Sequence, residues 1–287
     1  MAPRDGILRE LADAGVPAEM LELLRCIMQQ NRVWVDDGIR VVGTVNQTTG
    51  VAQGDGLSPL LFSMLLSRLP GVIQRDWTRE WVRVIMYADD IAIVGRSLFR
   101  VKQALGKLMA FTEKAGLTIN WQKTVAMKFR RGGILAKKDV IEVRGQGVSF
   151  VNKFTYLGVT MPTNGKSFRT HLRERTAKAI RAASSIRDPQ KLSIGTAEAL
   201  FRLKIAPIAS YGIQLVWERL GEEEFRLMDR VKAFFMKRVM GLAASCKNRI
   251  VWILLGGRLW TEVMQARGGL ARTGAFERYL ANEGAKL

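Results

Sequence analysis

The sequence contains only two cysteines and one histidine among 287 residues, and these low numbers argue against several classes of protein. Cys26 and Cys246 are too few and too far apart for a disulfide framework or a cysteine-ligated metal site. No apolar run approaches the roughly 20 residues that span a bilayer, and no apolar signal-peptide segment follows Met1. We therefore expect an intracellular protein, nuclear or cytoplasmic, with reduced thiols and no membrane partner. His171 has no neighbour in the sequence that would make it catalytic, and it is assigned no role.

Acidic residues are also scarce, with 26 Asp and Glu against 45 Lys and Arg, and the net charge is +19. The excess is uneven, because residues 1–122 carry 14 basic and 13 acidic groups whereas residues 166–287 carry 23 and 11. A near-neutral beginning followed by a strongly basic remainder predicts a protein that binds a polyanion. A merely soluble basic protein has the same composition, so the charge indicates a class of partner and no chemistry.

The chain is otherwise typical of a globular protein, with 48% hydrophobic and 25% charged residues. Up to Pro162, short segments alternate between strand and helix patterns, and beyond it the pattern changes to long basic helices at about 167–186, 195–217 and 222–242. We predict an α+β fold with a mixed domain over residues 1–162 and a helical basic domain over residues 163–287.

Two Asp-Asp pairs lie at predicted hairpin turns, and their surroundings differ. Asp36-Asp37 is followed by Gly38, and Asp-Gly is the favoured dipeptide of a type I′ turn, which explains this pair fully. Asp89-Asp90 has no glycine after it and lies between two apolar strand segments. Two adjacent carboxylates repel each other, and a divalent cation relieves that repulsion. Taken alone, the second pair is better explained as a structural turn, because short motifs often match by chance.

Three further blocks accompany Asp89-Asp90. A glycine loop at residues 53–56 leads into an apolar helix with Pro59 in its first turn, where its missing N–H costs nothing. Because Gly54 and Gly56 lack Cβ atoms, another backbone or a base pair could approach this loop closely. An amphipathic helix is predicted over residues 98–115, and the second block follows it at residues 116–124. We predict a strand pair here, in which Thr118–Asn120 pairs with Val125–Phe129 just beyond the block. The third block is the strand end at residues 154–159.

These four blocks, in this order, resemble the reverse transcriptase domain of non-LTR (LINE-type) retrotransposons. The matching motifs are Gln-Gly-x-x-Leu-Ser-Pro-x-Leu-Phe at 53–62, Tyr-Ala-Asp-Asp at 87–90 and Gly-Leu-x-Ile-Asn-x-x-Lys-Thr at 116–124. The resemblance extends from the first residues to about residue 160 and continues more weakly through residues 206–217. It implies a polymerase palm followed by a helical thumb, and RNA-templated addition of dNTPs to a DNA primer.

The resemblance also implies roles for individual residues. Asp89 and Asp90 would be catalytic and would hold two Mg²⁺ ions, with Mn²⁺ as a substitute. Lys123 would lie near the leaving pyrophosphate, although a solvated lysine explains it equally well. Other residues would contact the template or primer, the last three on the thumb: Gln53, Gly54, Tyr87, Ala88, Phe154, Tyr156, Leu157, Gly158, Arg169, Arg173 and Lys178. The bland alternative for the last three is a solvated basic helix.

The family's third catalytic carboxylate belongs to a strand that precedes a Pro-Arg-Asp-Gly-Ile-Leu stretch, and here that stretch is residues 3–8. Asp5 lies beyond that position and is no substitute. We therefore expect an N-terminally truncated palm that also lacks the fingers and has little polymerase activity alone. A non-catalytic nucleic-acid-binding remnant and a relic without a selected function remain the alternatives, and the sequence leaves the oligomeric state undetermined.

Overall fold

A computed structural model describes residues 3–29, 32–46, 50, 54–74, 81–129, 140–163, 168–256 and 259–284. The chain divides into two compact units. The first comprises Met1–Ala126 and Lys138–Phe150, and the second comprises Met127–Lys137 and Val151–Leu287. Helices and antiparallel hairpins both occur, which confirms the predicted α+β class. No helix within the described residues is long and apolar enough to cross a membrane.

The first unit consists of short helices and three hairpins. Its elements are α1 (Arg4–Asp13), α2 (Ala18–Gln29), β1 (Arg32–Asp36), β2 (Val41–Asn46), α3 (Ser58–Leu65), α4 (Leu69–Ile73), β3 (Val82–Tyr87), β4 (Asp90–Gly95), α5 (Leu98–Lys114), β5 (Val140–Val143) and β6 (Gln146–Ser149). The strands pair as β1–β2, β3–β4 and β5–β6, each antiparallel. Pro59 lies in the first turn of α3, as predicted.

The second unit is mainly helical. Its elements are β7 (Lys153–Tyr156), β8 (Val159–Pro162), α6 (Arg169–Ser184), α7 (Ile194–Leu200), a π-helix (Phe201–Ile205), α8 (Ala206–Ser210), α9 (Glu222–Val239), α10 (Asn248–Leu254), α11 (Trp260–Gly268) and α12 (Gly274–Gly284). Short 3₁₀ turns at Pro189–Lys191, Ile213–Leu215 and Trp217–Arg219 connect some of these elements. The core is built around α9, which contributes buried residues from Phe225 to Val239, and the aromatic rings of Trp217, Phe225 and Phe276 pack edge to face.

The helix α5 is the element on which the β3–β4 hairpin rests. Ser97 caps it by accepting a hydrogen bond from the Arg100 backbone N–H at 3.3 Å. Leu105 and Leu108 of α5 are buried in one cluster with Val82 and Val84, the alternate residues of β3. Alternate residues of β3 and residues three apart on α5 therefore form two apolar faces, and these faces pack in the same core.

The Asp36-Asp37 pair is a turn, as predicted, but not a type I′ turn. Asp36 pairs with Val41, which leaves a four-residue loop in which Gly38 alone has a positive φ, of 89°. The Asp37 carboxylate accepts hydrogen bonds from the backbone N–H groups of Arg40 (3.0 Å) and Ile39 (2.9 Å), and these bonds lower the pKa of Asp37. A type I′ turn requires positive φ at both central residues, and Asp37 does not adopt it.

The predicted strand pair over residues 118–129 is wrong. The Asn120 carboxamide oxygen accepts a hydrogen bond from the Lys123 backbone N–H at 3.2 Å, and the Asn120 carbonyl accepts one from Thr124 N–H at 3.0 Å. Asparagine side chains offer the backbone such local partners in place of a ladder. The second half of the predicted pair contributes only an isolated bridge between Ala126 and Phe150.

The predicted helix over 195–217 is also interrupted. It widens into the π-helix at Phe201–Ile205, resumes as α8 and ends before Gly212, whose φ is 74°. Pro207 has no N–H to donate to the preceding turn, and a local change of helical register accommodates that loss. The domain division also differs from the predicted position near residue 162, because the β7–β8 hairpin belongs to the second unit.

A buried aspartate ties three helices of the second unit together. The Asp229 carboxylate, on α9, accepts hydrogen bonds from Thr261 N–H (2.9 Å), Thr261 Oγ1 (2.7 Å) and the Tyr279 hydroxyl (2.7 Å). Burial raises the pKa of Asp229 from 3.8 to about 6, although these hydrogen bonds act in the opposite direction.

We expect the stability of the second unit to fall as the pH rises from about 4 to about 6 and to level off above that, because the folded state binds the Asp229 proton more tightly than the unfolded chain. The predicted loss is about 3 kcal/mol. Urea unfolding followed by pulsed hydrogen exchange of α9 peptides measures it. In the Asp229→Asn variant this pH dependence should disappear, and an equal slope in both proteins would contradict the assignment.

Candidate active site

The tip of the β3–β4 hairpin carries the Asp89-Asp90 pair. The strands pair in continuous register from Val82 opposite Gly95 to Tyr87 opposite Asp90, which leaves Ala88 and Asp89 as a two-residue turn. Ala88 has φ = 50°, a left-handed conformation that costs a non-glycine residue roughly 1 kcal/mol. Such local strain is typical of functional positions that the surrounding fold over-determines.

Both carboxylates of the pair are exposed. Neither accepts a hydrogen bond or an ion pair from any residue that the structure describes. The neighbouring Tyr87 side chain is also exposed, to 65%. Two adjacent carboxylate groups that have no partner among the described residues are therefore held at the tip of a packed hairpin, where an external cation can reach them.

The donor set of this tip fits Mg²⁺ or Mn²⁺. Both ions prefer hard oxygen ligands, and Mg²⁺ is commonly held by one or two carboxylates together with water and substrate phosphates. Across the described residues no group of three His, Cys, Asp or Glu side chains could hold a metal ion. The structure thus brings together two predicted metal ligands and, among those residues, supplies no third one.

Lys123 and Gly54 belong to the same unit as the aspartates. Lys123 is exposed on the turn that Asn120 caps, and Trp121 of this turn packs on the cluster that holds β3. Gly54 is exposed with φ = 92°, and no heavy atom of a described residue lies within 4 Å of the position its Cβ would take. A large partner can therefore approach the backbone at Gly54. Gln53 lies outside the described residues.

The β7–β8 hairpin of the second unit contains four of the predicted template- or primer-contacting residues, Phe154, Tyr156, Leu157 and Gly158. Tyr156 pairs with Val159, so Leu157 and Gly158 form a two-residue turn. Their φ values, 47° and 77°, are both positive, as a type I′ turn requires. Leucine is unusual at a position with positive φ. The carbonyls of Leu157 and Gly158 both accept hydrogen bonds from residues of the helical part of the unit.

The Tyr211 hydroxyl donates a hydrogen bond to the Leu157 carbonyl at 2.7 Å, and Arg175 Nη2 donates one to the Gly158 carbonyl at 3.1 Å. The Arg175 guanidinium also lies over the Tyr211 ring, 4.1 Å from its centroid. A Cβ added to Gly158 would lie 2.9 Å from Tyr211 Cε1, so the turn is packed closely as well as hydrogen-bonded.

A match to the reverse transcriptase (RNA-dependent DNA polymerase) family covers residues 3–161, more than half of the chain and all of the motifs described above. The chain belongs to this family. Its curated relatives include the RNA-directed DNA polymerase from mobile element jockey of Drosophila melanogaster, 27% identical over 216 residues, which cover 70% of this chain and 23% of the relative.

Two other relatives bear related names. A probable RNA-directed DNA polymerase from transposon BS of Drosophila melanogaster is 26% identical over 178 residues, 58% of this chain and 19% of the relative. A Pol polyprotein from type-1 retrotransposable element R2 of Popillia japonica is 28% identical over 179 residues, 58% of this chain and 24% of the relative. The predicted resemblance to non-LTR retrotransposon reverse transcriptases is therefore confirmed, and the chain spans about a quarter or less of these relatives' length.

The predicted thumb residues of this chain differ in their surroundings. Arg169 forms ion pairs with Glu223 and, at 2.9 Å, with Glu224. Arg173 and Lys178 are exposed, and their side chains have no hydrogen bond or ion pair with a described residue. Of the three cations, Arg173 and Lys178 can meet a phosphate without first giving up a protein partner.

His171, which was assigned no role from the sequence, is a structural residue of the second unit. It is buried, its Nδ1 accepts a hydrogen bond from Thr160 N–H at 3.1 Å, and its Nε2 lies 2.9 Å from the Tyr211 carbonyl. A carbonyl only accepts, so Nε2 carries the proton. His171, on α6, thereby joins β8 to the segment that contains Tyr211. In the sequence, the weaker family resemblance over residues 206–217 was the one indication that this segment matters.

We expect Gly158→Ala to destabilise its hairpin more than Gly145→Ala destabilises the β5–β6 hairpin. Both glycines have φ = 77°, but a Cβ on Gly145 meets nothing within 4 Å, whereas one on Gly158 meets the Tyr211 ring. The backbone cost of roughly 1 kcal/mol is therefore common to both, and the crowding adds about 1–3 kcal/mol at Gly158 alone. Hydrogen-exchange protection of each hairpin measures the two effects, and equal losses would contradict the packing described.

Proposed function

We propose that this chain contributes the metal-binding hairpin and the thumb of an RNA-directed DNA polymerase that extends a DNA primer on an RNA template with dNTPs. The observation that carries the proposal is the pair of exposed carboxylates, Asp89 and Asp90, which have no partner among the described residues and lie at the tip of a hairpin that packs on α5. The family to which the chain belongs is named for this activity.

Asp89 and Asp90 are proposed to hold two Mg²⁺ ions, or Mn²⁺ in their place. Bound there, the ions would favour the ionised primer 3′-hydroxyl and offset the charge of the triphosphate and its departing pyrophosphate. The contribution of the chain itself is positional, because the packed β3–β4 hairpin presents both carboxylates without a change of conformation at the moment of reaction.

The other predicted residues are proposed to position the nucleic acid and the nucleotide. Tyr87 and Ala88 would lie against the primer terminus, and the Leu157–Gly158 turn, with Phe154 and Tyr156, would hold the primer strand. Gln53 and Gly54 would contact the template at the new base pair, where the open backbone at Gly54 permits close approach. Lys123 would offer a positive charge or a proton to the leaving pyrophosphate.

We further propose that the isolated chain is a weak polymerase or an inactive one. The described residues bring no third carboxylate to the Asp89-Asp90 pair, and metal positioning supplies much of the rate of phosphoryl transfer. A second candidate function, nucleic-acid binding without catalysis, is favoured by a separate observation. Residues 166–287 carry 23 basic and 11 acidic groups, and Arg173 and Lys178 of α6 have no described partner.

Primer extension on an annealed RNA template, with Mg²⁺ and dNTPs, tests the proposal. Any extension by the parent chain should fall at least about 100-fold in Asp89→Asn, as expected when a group that stabilises the transition state is removed. Asp37→Asn is the matched control, since it makes the same change at the exposed turn of the β1–β2 hairpin, and it should leave extension unchanged.

Three outcomes are distinct. Extension that survives in Asp89→Asn contradicts the catalytic assignment. No extension by the parent chain, together with salt-sensitive duplex binding in both proteins, supports the binding function and the proposed loss of activity. Vigorous extension by the parent chain that Asp89→Asn abolishes contradicts only the proposal that the isolated chain is weak.

A further inference from the structure

The helices α6 and α9 of the second unit run side by side in the same direction. Arg169 at the start of α6 donates to Glu224 near the start of α9, and Arg238 near the end of α9 donates to the Ala183 carbonyl near the end of α6. Both contacts join residues 55 positions apart in the sequence. Residues separated by 55 therefore lie at about the same level along the two helices.

A groove of about 470 Å³ lies between these helices and the segment that leads into α10. One wall consists of Arg173, Ala177 and Ile180, which recur at helical spacing on α6. The other consists of Leu227, Arg230 and Phe234, at helical spacing on α9. Each helix thus turns one stripe of side chains toward the groove.

Among the described residues that line this groove, the four charged side chains are all cationic. Two of them are used by the protein, since Lys237 Nζ donates to the Ala244 carbonyl at 3.2 Å and Arg238 donates to the carbonyls of Ala183 and Ile186. The guanidinium groups of Arg173 and Arg230 make no hydrogen bond or ion pair with a described residue. Both are on exposed residues, so they are available to an anion in the groove.

Arg173 and Arg230 stand on opposite walls at nearly the same height. The shared offset of 55 places Met228 level with Arg173, and Arg230 lies two residues further on, which is about 3 Å along a helix axis. Two like charges facing each other repel, and an anion between them replaces that repulsion with two attractions. The planar fork of guanidinium donors matches the oxygens of a phosphate.

The rest of the described lining is mainly apolar, with Thr176 and Asn248 as its polar members, and it includes one aromatic side chain. Phe234 is half-buried and lies one turn beyond Arg230 on α9, about 6 Å along the axis. Cations that follow a phosphate backbone, combined with an aromatic ring on which a base stacks, are the features by which proteins bind single strands. A base that is already paired and stacked in a duplex is not free to enter a groove of this size.

We propose that this groove binds one nucleotide of a single-stranded nucleic acid, with its phosphate between Arg173 and Arg230 and its base on Phe234. The site lies outside the Asp89-Asp90 hairpin. It also adds Arg230 and Phe234, to which neither the sequence motifs nor the family resemblance gives a role.

The test is fluorescence anisotropy of the full chain with eight-nucleotide oligo(U) and oligo(dT), titrated between 50 and 200 mM salt. Arg230→Gln should weaken binding roughly tenfold and reduce the slope of log K against log salt by about 0.7, the value for one phosphate contact of a single strand. Arg202→Gln is the matched control, since Arg202 is an exposed arginine of the same unit that does not line the groove. It should change affinity less than about twofold.

Phe234→Leu separates stacking from charge, because it keeps an apolar side chain and removes the ring. It should weaken single-strand binding roughly tenfold with an unchanged salt slope, and it should leave binding of a duplex of the same length unaffected. The two oligonucleotides should bind within about threefold of each other, because the proposed contacts are to phosphate and base.

The proposal is overturned if Arg230→Gln behaves like Arg202→Gln, or if Phe234→Leu binds single strands as the parent chain does. A preference of more than about tenfold for either oligonucleotide also contradicts it, because the 2′-hydroxyl then contributes to recognition. Circular dichroism checks that each variant is folded. If Phe234→Leu does not fold, Arg230→Gln still tests the proposal, because it changes an exposed side chain. Asp89→Asn should bind the oligonucleotides normally, so this proposal and the polymerase proposal can fail independently.

Discussion

The apolar contact between α5 and one face of the β3–β4 hairpin is the constraint on which the proposed catalytic chemistry depends. A two-stranded hairpin alone is marginally stable in water, and burial of Val82 and Val84 with Leu105 and Leu108 supplies what the strands lack. Because the strands pair without a bulge up to Tyr87 and Asp90, this packing fixes the turn beyond them. The two carboxylates can therefore be exposed and still have a defined position.

The second unit fixes its own hairpin turn by polar contacts instead. The carbonyls of Leu157 and Gly158 accept hydrogen bonds from Tyr211 and Arg175, and the buried His171 holds Tyr211 and β8 together. In both units a non-glycine residue with positive φ, Ala88 or Leu157, lies at the turn. The strain at these two turns is offset by different means, apolar packing in one and a hydrogen-bonded network in the other.

Local patterns were enough to predict the elements closest to the candidate site. The amphipathic repeat predicted α5 to within one residue of its observed end, and the alternation about Asp89-Asp90 predicted β3 and β4. The errors have local causes that a pattern of apolar residues does not reveal. The Asn120 side chain accepts a hydrogen bond from the nearby Lys123 backbone N–H and so forms a turn where a strand was predicted. The helix that contains Pro207 is interrupted by a π-helical turn.

Contacts between distant segments could not be predicted from the sequence. His171 and Tyr211 are 40 positions apart, and the walls of the basic groove are contributed by helices offset by 55 positions. Nothing in either helix by itself distinguishes Arg173 and Arg230 from a solvated basic face. Only their position at one level across a shared groove, where neither has a partner among the described residues, points to a ligand.

Binding of Mn²⁺ by the chain, followed by electron paramagnetic resonance without nucleic acid, tests the central claim most directly. The account predicts that free Mn²⁺ is depleted by the parent chain and by Asp37→Asn, that Asp89→Asn and Asp90→Asn each weaken this binding at least about tenfold, and that Mg²⁺ displaces the bound ion. Equal Mn²⁺ binding by the parent chain and by both hairpin variants would show that the Asp89-Asp90 turn is structural only.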